Sequence, residues 1–436
     1  MKKHLILTLA ASLAAVLPSK ALDLYITGST AFRANVTTAC SNLFDSPIIN
    51  YYGGTSATGG DGKAYPKAAQ WVMSGTVSNT ISALGQTPLT IHALFTGSIQ
   101  GIQTVEAGTK LLFLAADGVT TLTNTPTIAF SDASSSVTPY PVSGTAYYAE
   151  EKVAVQPFVF AKSIIGGVMN NVTNITSGEA QFMIKSGRIN LSAFTGNTAD
   201  HGTYVYTAER TKDSGTRLTF FKEEGFPYNQ NISTYVLDLN TADSTTYGTW
   251  FKPTTNYVVG PVGNGGANLN WGNGYVGGGD IATALATNLS GNMAVGALSI
   301  SDAKSIGTTA NWAQVIAYNG VWPTVAGPGI AGNTGTNDFT PILTGKYSFW
   351  GYEVVVYPTV DPSTISSDQN LTAAELGNGR TPGTILGVLD VLGSGGTPAL
   401  GSLEHEIWAS EPTGATAIRI SDMSASRSAP GGTITP

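Results

Sequence analysis

Short apolar segments recur along this chain, and most of them lead into small polar residues before the next apolar segment begins. The first, LDLYIT (22–27), alternates with the period of a half-buried strand and runs into Gly28-Ser29-Thr30. The next segment spaces its apolar residues as on one face of a helix: Phe32, Val36, Cys40 and Leu43. This order predicts a strand, a polar turn and a helix.

The same order returns further along the chain. LTIHALF (89–95) and TPTIAF (125–130) predict strands, which end in Thr96-Gly97-Ser98 and in Ser131-Asp132. The run VAVQPFVFA (153–161) is apolar except for Gln156, and we expect it to be an extended crossover between two lobes.

The second half repeats the strand and helix signals. Thr176 and Glu179 form a capping-box pattern that predicts a helix start. TYVYTA (203–208) predicts a strand, and TRLTFFKEEG (216–225) predicts a helix that ends at a glycine. Strands that alternate with helices predict an α/β protein whose mixed sheets are flanked by helices.

The later segments are less regular. Residues 231–275 are rich in Asn, Gly and Thr, and we interpret them as a surface insertion. GGGDIATALATNLSG predicts a helix, NMAVGALSI predicts a strand, and KYSFWGYEVVVYPTV (346–360) predicts a long aromatic strand. The small polar residues of 423–436 predict a flexible tail.

The first 21 residues have the pattern of a cleavable export signal. Lys2 and Lys3 precede a short apolar run, and SKA (19–21) fits a cleavage site before Leu22. The residue directly after that site, Leu22, is not a cysteine, so we expect no lipid anchor. The expected location is the periplasm or the medium, and no later apolar run is long enough to span a membrane.

Charge and composition exclude several classes of partner. Removing the signal takes away three lysines and changes the net charge from −7 to −10, which disfavours nucleic acid and acidic membranes. Cys40 is the only cysteine, so an intrachain disulfide is impossible. GNGYVG (272–277) matches a dinucleotide fingerprint, but no predicted strand precedes it. We expect no cofactor, and no histidine spacing suggests a metal.

Hydroxyl residues at strand ends suggest an anion site. The carboxyl ends of strands are where α/β proteins bind ligands, and helix N-termini attract negative charge. Arg210 precedes Ser214-Gly215-Thr216 at the start of a predicted helix, whereas Lys212, Asp213 and Arg217 are interpreted as loop or rim charges. Asp132 would favour an anion that carries a proton, such as phosphate, although a turn-capping role stays open.

Four motifs in order extend this hypothesis: ITGSTAF, FTGSIQGI, FSDAS and ERTKDSGTR. Their order and spacing resemble the phosphate-specific substrate-binding proteins of bacterial ABC uptake systems, over roughly residues 22–360. The resemblance implies the two-lobed type 2 periplasmic-binding fold and a phosphate ligand between the lobes. The chain departs from the family at Gln100, in the 231–275 insertion, and in GKYSFW, which lacks the family's proline after tyrosine.

The resemblance also implies roles for individual residues. Asp132 would accept the proton of the phosphate, and Arg210 would be the charged clamp. Hydroxyl and backbone donors would come from the first turn, the Gly-Ser loop and the start of the later helix. Whether Ser29 or Thr30 supplies the main hydroxyl of the first turn stays open. The donor residues are Ser29, Thr30, Phe32, Ser98, Ser214, Gly215 and Thr216.

We therefore expect an exported, monomeric solute-binding protein that is not an enzyme and delivers phosphate or a similar oxyanion to an ABC permease. Lobe I would comprise 22–152 plus 306–422, and lobe II would comprise 153–305. Two alternatives remain open at this stage. One is a diverged surface or structural protein that keeps the fold without a transport role, and the other is a phosphate-ester hydrolase.

Overall fold

The computed structural model describes residues 22–44, 47–51, 68–76, 88–141, 148–165, 167–230, 232–239, 248–252, 274–306, 314–325, 338–358 and 418–435. The expected signal peptide at 1–21 and most of the expected insertion at 231–275 lie outside these residues. The strands are β1 (Leu22–Gly28), β2 (Ile48–Tyr51), β3 (Gln70–Thr76), β4 (Pro88–Leu94), β5 (Leu111–Leu114), β6 (Thr121–Asn124), β7 (Ile128–Ser131), β8 (Tyr148–Lys162), β9 (Asn174–Ile175), β10 (Arg188–Asn190), β11 (Tyr204–Ala208), β12 (Val236–Leu237), β13 (Trp250–Phe251), β14 (Ala294–Ser299), β15 (Val315–Tyr318) and β16 (Trp350–Pro358).

Helices alternate with strands or with groups of strands along the chain, as expected for an α/β protein. Within the described part, no helix combines the length and apolarity needed to cross a membrane. Short 3₁₀ turns add to the α-helices. The α-helices are α1 (Arg33–Asn42), α2 (Ser98–Glu106), α3 (Ser177–Ser186), α4 (Ser192–Thr195), α5 (Gly215–Glu223), α6 (Gly278–Ala286), α7 (Ile300–Ala303) and α8 (Thr340–Leu343).

One large mixed sheet organises the described residues. Ten strands follow the order β10-β11-β14-β8-β16-β7-β1-β4-β3-β2, while β15 pairs with β8, and β9 pairs with β15. Strand β1 is parallel to both β4 and β7, so the carboxyl ends of these three strands point to the same edge. That edge is where ligands bind in open α/β sheets.

Strand β8 connects the two halves of this sheet. Its residues Tyr148–Pro157 pair with β16, and its residues Phe158–Lys162 pair with β14. The apolar run 153–161, which we predicted to be an extended crossover, lies within this strand. Both of its faces are covered, because every residue from Val153 to Lys162 is buried. This burial explains why the run is apolar rather than alternating.

Each half of the sheet has its own large hydrophobic core. The first contains Leu24, Trp71 and Phe130 on β1, β3 and β7. In the second, the ring of Phe160 stacks on Phe349 at 4.9 Å and meets Phe220 edge-on at 5.2 Å between centroids. A buried aromatic side chain of this kind contributes about 1.5–3 kcal/mol. Phe220 thereby fixes α5, the helix that follows Ser214, against β8.

Several predicted element ends agree with the structure. Thr176 caps α3 with its side chain, and the Glu179 side chain accepts from the Thr176 backbone, so the predicted capping box is confirmed. Gly225 follows α5 with a positive φ of 78°, as expected of a glycine that stops a helix.

The predicted strand over 346–360 starts later than expected. In the structure β16 begins at Trp350, because the preceding residues complete a turn after α8. Gly345 has a φ of 70°, and the backbone N–H of Tyr347 donates to the carbonyl of Pro341 at 2.8 Å. The turn at Gly345 and this hydrogen bond hold Tyr347 outside the sheet.

The expected flexible tail at 423–436 is packed against the protein over its described residues. Arg427 is buried, and its guanidinium donates to the carbonyls of Ser348 and Trp350 at 2.7 and 2.8 Å. It also forms a 2.9 Å ion pair with Glu223 at the end of α5. The backbone N–H of Ser424 also donates to the carbonyl of Leu343 at 3.0 Å. The small polar composition gave no sign of these contacts.

Candidate anion-binding site

Close backbone contacts bring the loops after β1, β4 and β7 together. Gly28 has a φ of 111°, and a Cβ at this position would lie 2.0 Å from the carbonyl oxygen of Phe130, so only glycine fits. The backbone N–H of Ser29 donates to Phe130 O at 2.7 Å, and that of Gly97 donates to Gly28 O at 2.8 Å. These contacts place the three predicted motifs at one edge of the sheet.

The two hydroxyl residues of the first turn have different partners. The Ser29 Oγ accepts from the backbone N–H of Phe32 at 3.1 Å and so stabilises the turn that opens α1. The Thr30 Oγ1 accepts from Nη2 of Arg210 at 2.9 Å. Thr30 is therefore the first-turn residue whose side chain joins the predicted clamp, while Ser29 and Phe32 shape the turn.

Asp132 is held by side chains from two different helices. Its carboxylate accepts from the Ser98 hydroxyl at the start of α2 and, at 3.0 Å, from the Thr216 hydroxyl in α5. The carbonyl of Asp132 accepts from the Thr219 hydroxyl at 3.2 Å. Only 1% of the residue is exposed, so these bonds satisfy a carboxylate that water does not reach.

The N-terminus of α5 lies directly against this carboxylate. Ser214 caps the helix, since its hydroxyl accepts from the backbone N–H of Arg217 at 3.3 Å. A Cβ on Gly215 would lie 1.7 Å from Oδ1 of Asp132, so the close approach requires glycine. Free N–H groups and the helix dipole make such a helix start favourable for negative charge, by about 0.3–2 kcal/mol.

Arg210 is the buried cation of the site. Its Nη2 donates to Thr30 Oγ1 and, at 2.8 Å, to the carbonyl of Val276 just before α6. Its Nε is buried and has no hydrogen-bond partner among the described residues. A pairing with Tyr275 fixes the backbone of Arg210. The guanidinium thus spans the gap between the first turn and the start of α6.

Burial and neighbouring charges oppose each other at both ionisable groups. Burial raises the pKa of Asp132, and hydrogen bonds from Ser98 and Thr216 together with the charge of Arg210 lower it in part. Burial lowers the pKa of Arg210, whereas Asp132 first and then Asp302 raise it. The two groups therefore stabilise each other's charge, although no direct ion pair joins them in the described residues.

The structure brings the predicted residues into one buried cluster. Asp132 contacts Ser98 and Thr216, and Arg210 contacts Thr30. The remaining four predicted residues form the turns that position these side chains: Ser29, Phe32, Ser214 and Gly215.

The prediction that Arg217 is a loop or rim charge is wrong. Arg217 is buried, and its Nη1 donates to the carbonyl of Arg210 at 3.0 Å. Its guanidinium also lies 4.9 Å from the centroid of the Phe221 ring. Because Arg217 is in the first turn of α5, helix geometry turns it inward, whereas Lys212 in the preceding loop is exposed.

Three buried acids near the cluster were missed by the sequence analysis. Glu209 precedes the clamp, and its carboxylate accepts from the backbone N–H of Arg210 at 2.7 Å. Asp302 lies after β14 in a Ser-Asp-Ala sequence like that of Asp132, a signal that could have been noticed. Glu353 is fully buried in β16, and an acid within an apolar strand was its only sequence signal.

Comparison with known proteins gives a weak likeness to one class. No family model matches the chain, and no curated protein matches its sequence. An ABC-type phosphate transport receptor from Vibrio cholerae is similar at a TM-score of 0.35 and 14% identity, over 80% of this chain and 90% of that one.

Two further structures are similar at the same level. The ancestral soluble variant of the human phosphate binding protein has a TM-score of 0.37 and 13% identity, over 81% of this chain and 84% of that one. A phosphate-binding protein from Stenotrophomonas maltophilia has a TM-score of 0.32 and 15% identity, over 79% and 80%. Because these TM-scores are below 0.5, a functional assignment depends on the site itself.

Proposed function

We propose that this protein is an exported, non-enzymatic solute-binding protein whose ligand is inorganic phosphate. The observation that carries the proposal is the buried arrangement of Asp132 at the N-terminus of α5, with two hydroxyl donors and Arg210 around it. One cation, several hydroxyl and N–H donors, and one acceptor carboxylate are the groups that a protonated oxyanion requires.

The bonds of Asp132 support a preference for phosphate over sulfate. A bound oxyanion would compete with Asp132 for the hydroxyls of Ser98 and Thr216. A phosphate that carries a proton compensates Asp132 by donating that proton to it, whereas sulfate offers no donor at neutral pH. A buried carboxylate left without partners costs several kcal/mol, so sulfate would be rejected.

The proposed ligand-binding residues are those that the sequence predicted. Arg210, which donates to Thr30, supplies the positive charge. Backbone N–H groups at the start of α5 are donors that point to the carboxyl edge of the sheet. The proposed set is Ser29, Thr30, Phe32, Ser98, Asp132, Arg210, Ser214, Gly215 and Thr216.

The proposed mechanism is closure of two lobes on the ion. Lobe I would contain 22–152 and 306–422, lobe II would contain 153–305, and β8 would be one of the connections that bend. The captured ion would be delivered by a monomer to an ABC permease. No covalent step is included, because the Ser214 hydroxyl serves as a helix cap for the N–H of Arg217.

One observation favours a second candidate function. The hydroxyls of Ser98 and Thr216 are already bonded to Asp132, as they would be if this aspartate only fastened α2 and α5 together. A diverged surface protein that keeps the fold without binding an anion would have the same contacts.

Calorimetric titration of the purified chain with phosphate and with sulfate separates the two. The binding protein should release or absorb heat with phosphate and gain thermal stability, in proportion to the logarithm of the ligand concentration. Absence of both effects at millimolar phosphate would refute the transport role and leave the structural one.

A further inference from the structure

Glu353 is a buried acid with no visible structural task. It lies in β16 next to three valines, and none of its surface is exposed. Within the part of the chain that the structure describes, neither of its carboxyl oxygens has a hydrogen-bond partner. A polar group that is buried without a partner destabilises the fold, so we looked for a role of Glu353 in the neighbouring site.

The register of the sheet places Glu353 beside Asp132. The antiparallel pairing of β16 with β7 ends at Val354 opposite Ser131, so Glu353 and Asp132 are the residues next to this last pair. Gly351, two residues earlier and therefore on the same face, would direct a Cβ to 3.3 Å from the carbonyl oxygen of Asp132. Glu353 and Asp132 therefore lie at the same end of this pairing, where the negative charge of Asp132 acts on Glu353.

The positively charged side chains near β16 contact groups other than Glu353. Lys152 of β8 places its Nζ 3.8 Å from the centroid of the Tyr352 ring, on the opposite face from Glu353. Arg427 of the tail donates to the carbonyl of Trp350 at 2.8 Å. Arg217 of α5 donates to the carbonyl of Arg210.

Among the residues that the structure describes, the remaining neighbours add no further charge beside Glu353. On β8 the facing residues are Ala154 and, diagonally, Gln156. Helix α2 has one acid, Glu106, at the far end, where its carbonyl accepts from Tyr148 at 3.1 Å. Around Asp132 itself lie Ser98, Thr216 and the charge of Arg210. Asp132 is thus the ionisable group that acts on Glu353.

Two buried carboxyl groups in such proximity do not both ionise readily. Burial raises the pKa of Glu353 well above its ordinary value, and the negative charge of Asp132 raises it further. The two carboxyl groups titrate as a coupled pair. Over the pH range in which the pair holds one proton, it carries one negative charge.

We propose that Glu353 is a second acid of the anion site, whose neutral form leaves Asp132 as the carboxylate that meets the ligand's proton. Ionisation of Glu353 would place a second negative charge behind Asp132 and repel the oxyanion. Glu353 would therefore be a specificity-determining residue that sets the alkaline limit of binding. This inference rests on the proposed phosphate-binding function.

The test is titration of the full chain with inorganic phosphate at a series of pH values from about 7 to 10. Glu353→Gln keeps the shape of the side chain and cannot ionise, and Glu353→Leu is a second neutral variant. Between about pH 7 and 10, the phosphate affinity of the original protein should fall at least about tenfold more than that of either variant. A tenfold change in affinity is equivalent to one pKa unit.

Glu224 provides the matched control. It is also a buried acid whose pKa burial raises, but its carboxylate accepts from Ser177 and, at 2.7 Å, from Tyr318, away from Asp132. Glu224→Gln should leave the alkaline profile of phosphate binding unchanged. Circular dichroism confirms that each variant is folded.

The possible outcomes distinguish this inference from the function on which it rests. If the original protein fails to bind phosphate even near pH 7, the proposed function is refuted. If it binds, and the neutral variants at Glu353 weaken with pH as steeply as it does, the role of Glu353 is refuted while the function stands. A shallower profile in both neutral variants supports the inference.

Discussion

Two Ser-Asp-Ala sequences follow strands in this protein, and each places its aspartate against the first residue of a helix. A Cβ on Gly215 of α5 would lie 1.7 Å from Oδ1 of Asp132, and a Cβ on Gly278 of α6 would lie 2.2 Å from Oδ2 of Asp302. Arg210 is within electrostatic reach of both carboxylates. The site therefore has two similar halves, with Arg210 between them.

The halves differ in where their hydrogen-bond donors come from. Asp132 accepts from Ser98 and Thr216, which belong to two different helices. Asp302 accepts from the Ser299 hydroxyl at 3.0 Å, and its own N–H donates to that hydroxyl at 3.3 Å. Asp302 is therefore satisfied within its own turn, at the start of the short helix α7.

This difference indicates which aspartate a ligand can address. An anion at the start of α5 would compete for donors that Asp132 uses, and a proton from the ligand could compensate the loss. Asp302 has a local donor that would remain in place. Under the proposed function, the same tripeptide would have a binding role in one half and a structural and electrostatic role in the other.

The largest expected effect comes from removing the cation between the halves. Arg210→Ala should weaken phosphate binding by at least about 1.5–3 kcal/mol, the contribution of one charge-assisted bond. Stability should also fall, by about 3–5 kcal/mol, because buried carboxylates lose their compensating charge. Calorimetry and urea unfolding measure the two effects. Lys212→Ala, which removes an exposed cation two residues away, is the control; equal affinity in both variants would exclude Arg210 from the site.

Replacing each aspartate tests the asymmetry itself. Asp132→Asn should reduce the preference for phosphate over sulfate, through loss of a charge-assisted bond of about 1.5–3 kcal/mol to the ligand's proton. Asp302→Asn should keep that preference and lower stability by about 1 kcal/mol or less, as expected for a change at a helix start. Competition binding with both anions gives the ratio. A ratio that changes equally in the two variants would contradict the assignment of different roles.

The two helix-start glycines extend the comparison of the halves to the stability of the fold. Gly215→Ala and Gly278→Ala should each destabilise the fold by about 1–3 kcal/mol through overpacking against an aspartate. Gly215→Ala should cost more, since its Cβ would also lie 2.8 Å from the Ser98 hydroxyl. Gly178→Ala in the first turn of α3, where a Cβ meets nothing within 4 Å, is the control and should be neutral or stabilising. Thermal unfolding ranks the three, and equal melting temperatures would show that the close contacts relax without cost.

The sequence was most informative where the signal is local. The alternating strand, the small polar turn and the helical spacing predicted β1, its turn and α1, and the capping box at Thr176 was confirmed. The start of β16 was misplaced because apolar and aromatic residues of a turn near Tyr347 read like a strand. The packing of the tail could not be foreseen, because Arg427 finds its partner Glu223 far away in the chain.

Within the candidate site, the sequence indicated most of the residues, although not its three further buried acids, and the tertiary structure determined the connections. Hydroxyls, glycines, one arginine and one aspartate at strand and helix ends follow from turn and capping chemistry, which is readable over a few residues. The bond of Thr30 to Arg210 joins residues 180 positions apart, and that of Thr216 to Asp132 joins residues 84 apart. Such pairs, like the placement of Glu353 beside Asp132, arise only when strands find their register, so no local pattern of residues encodes them.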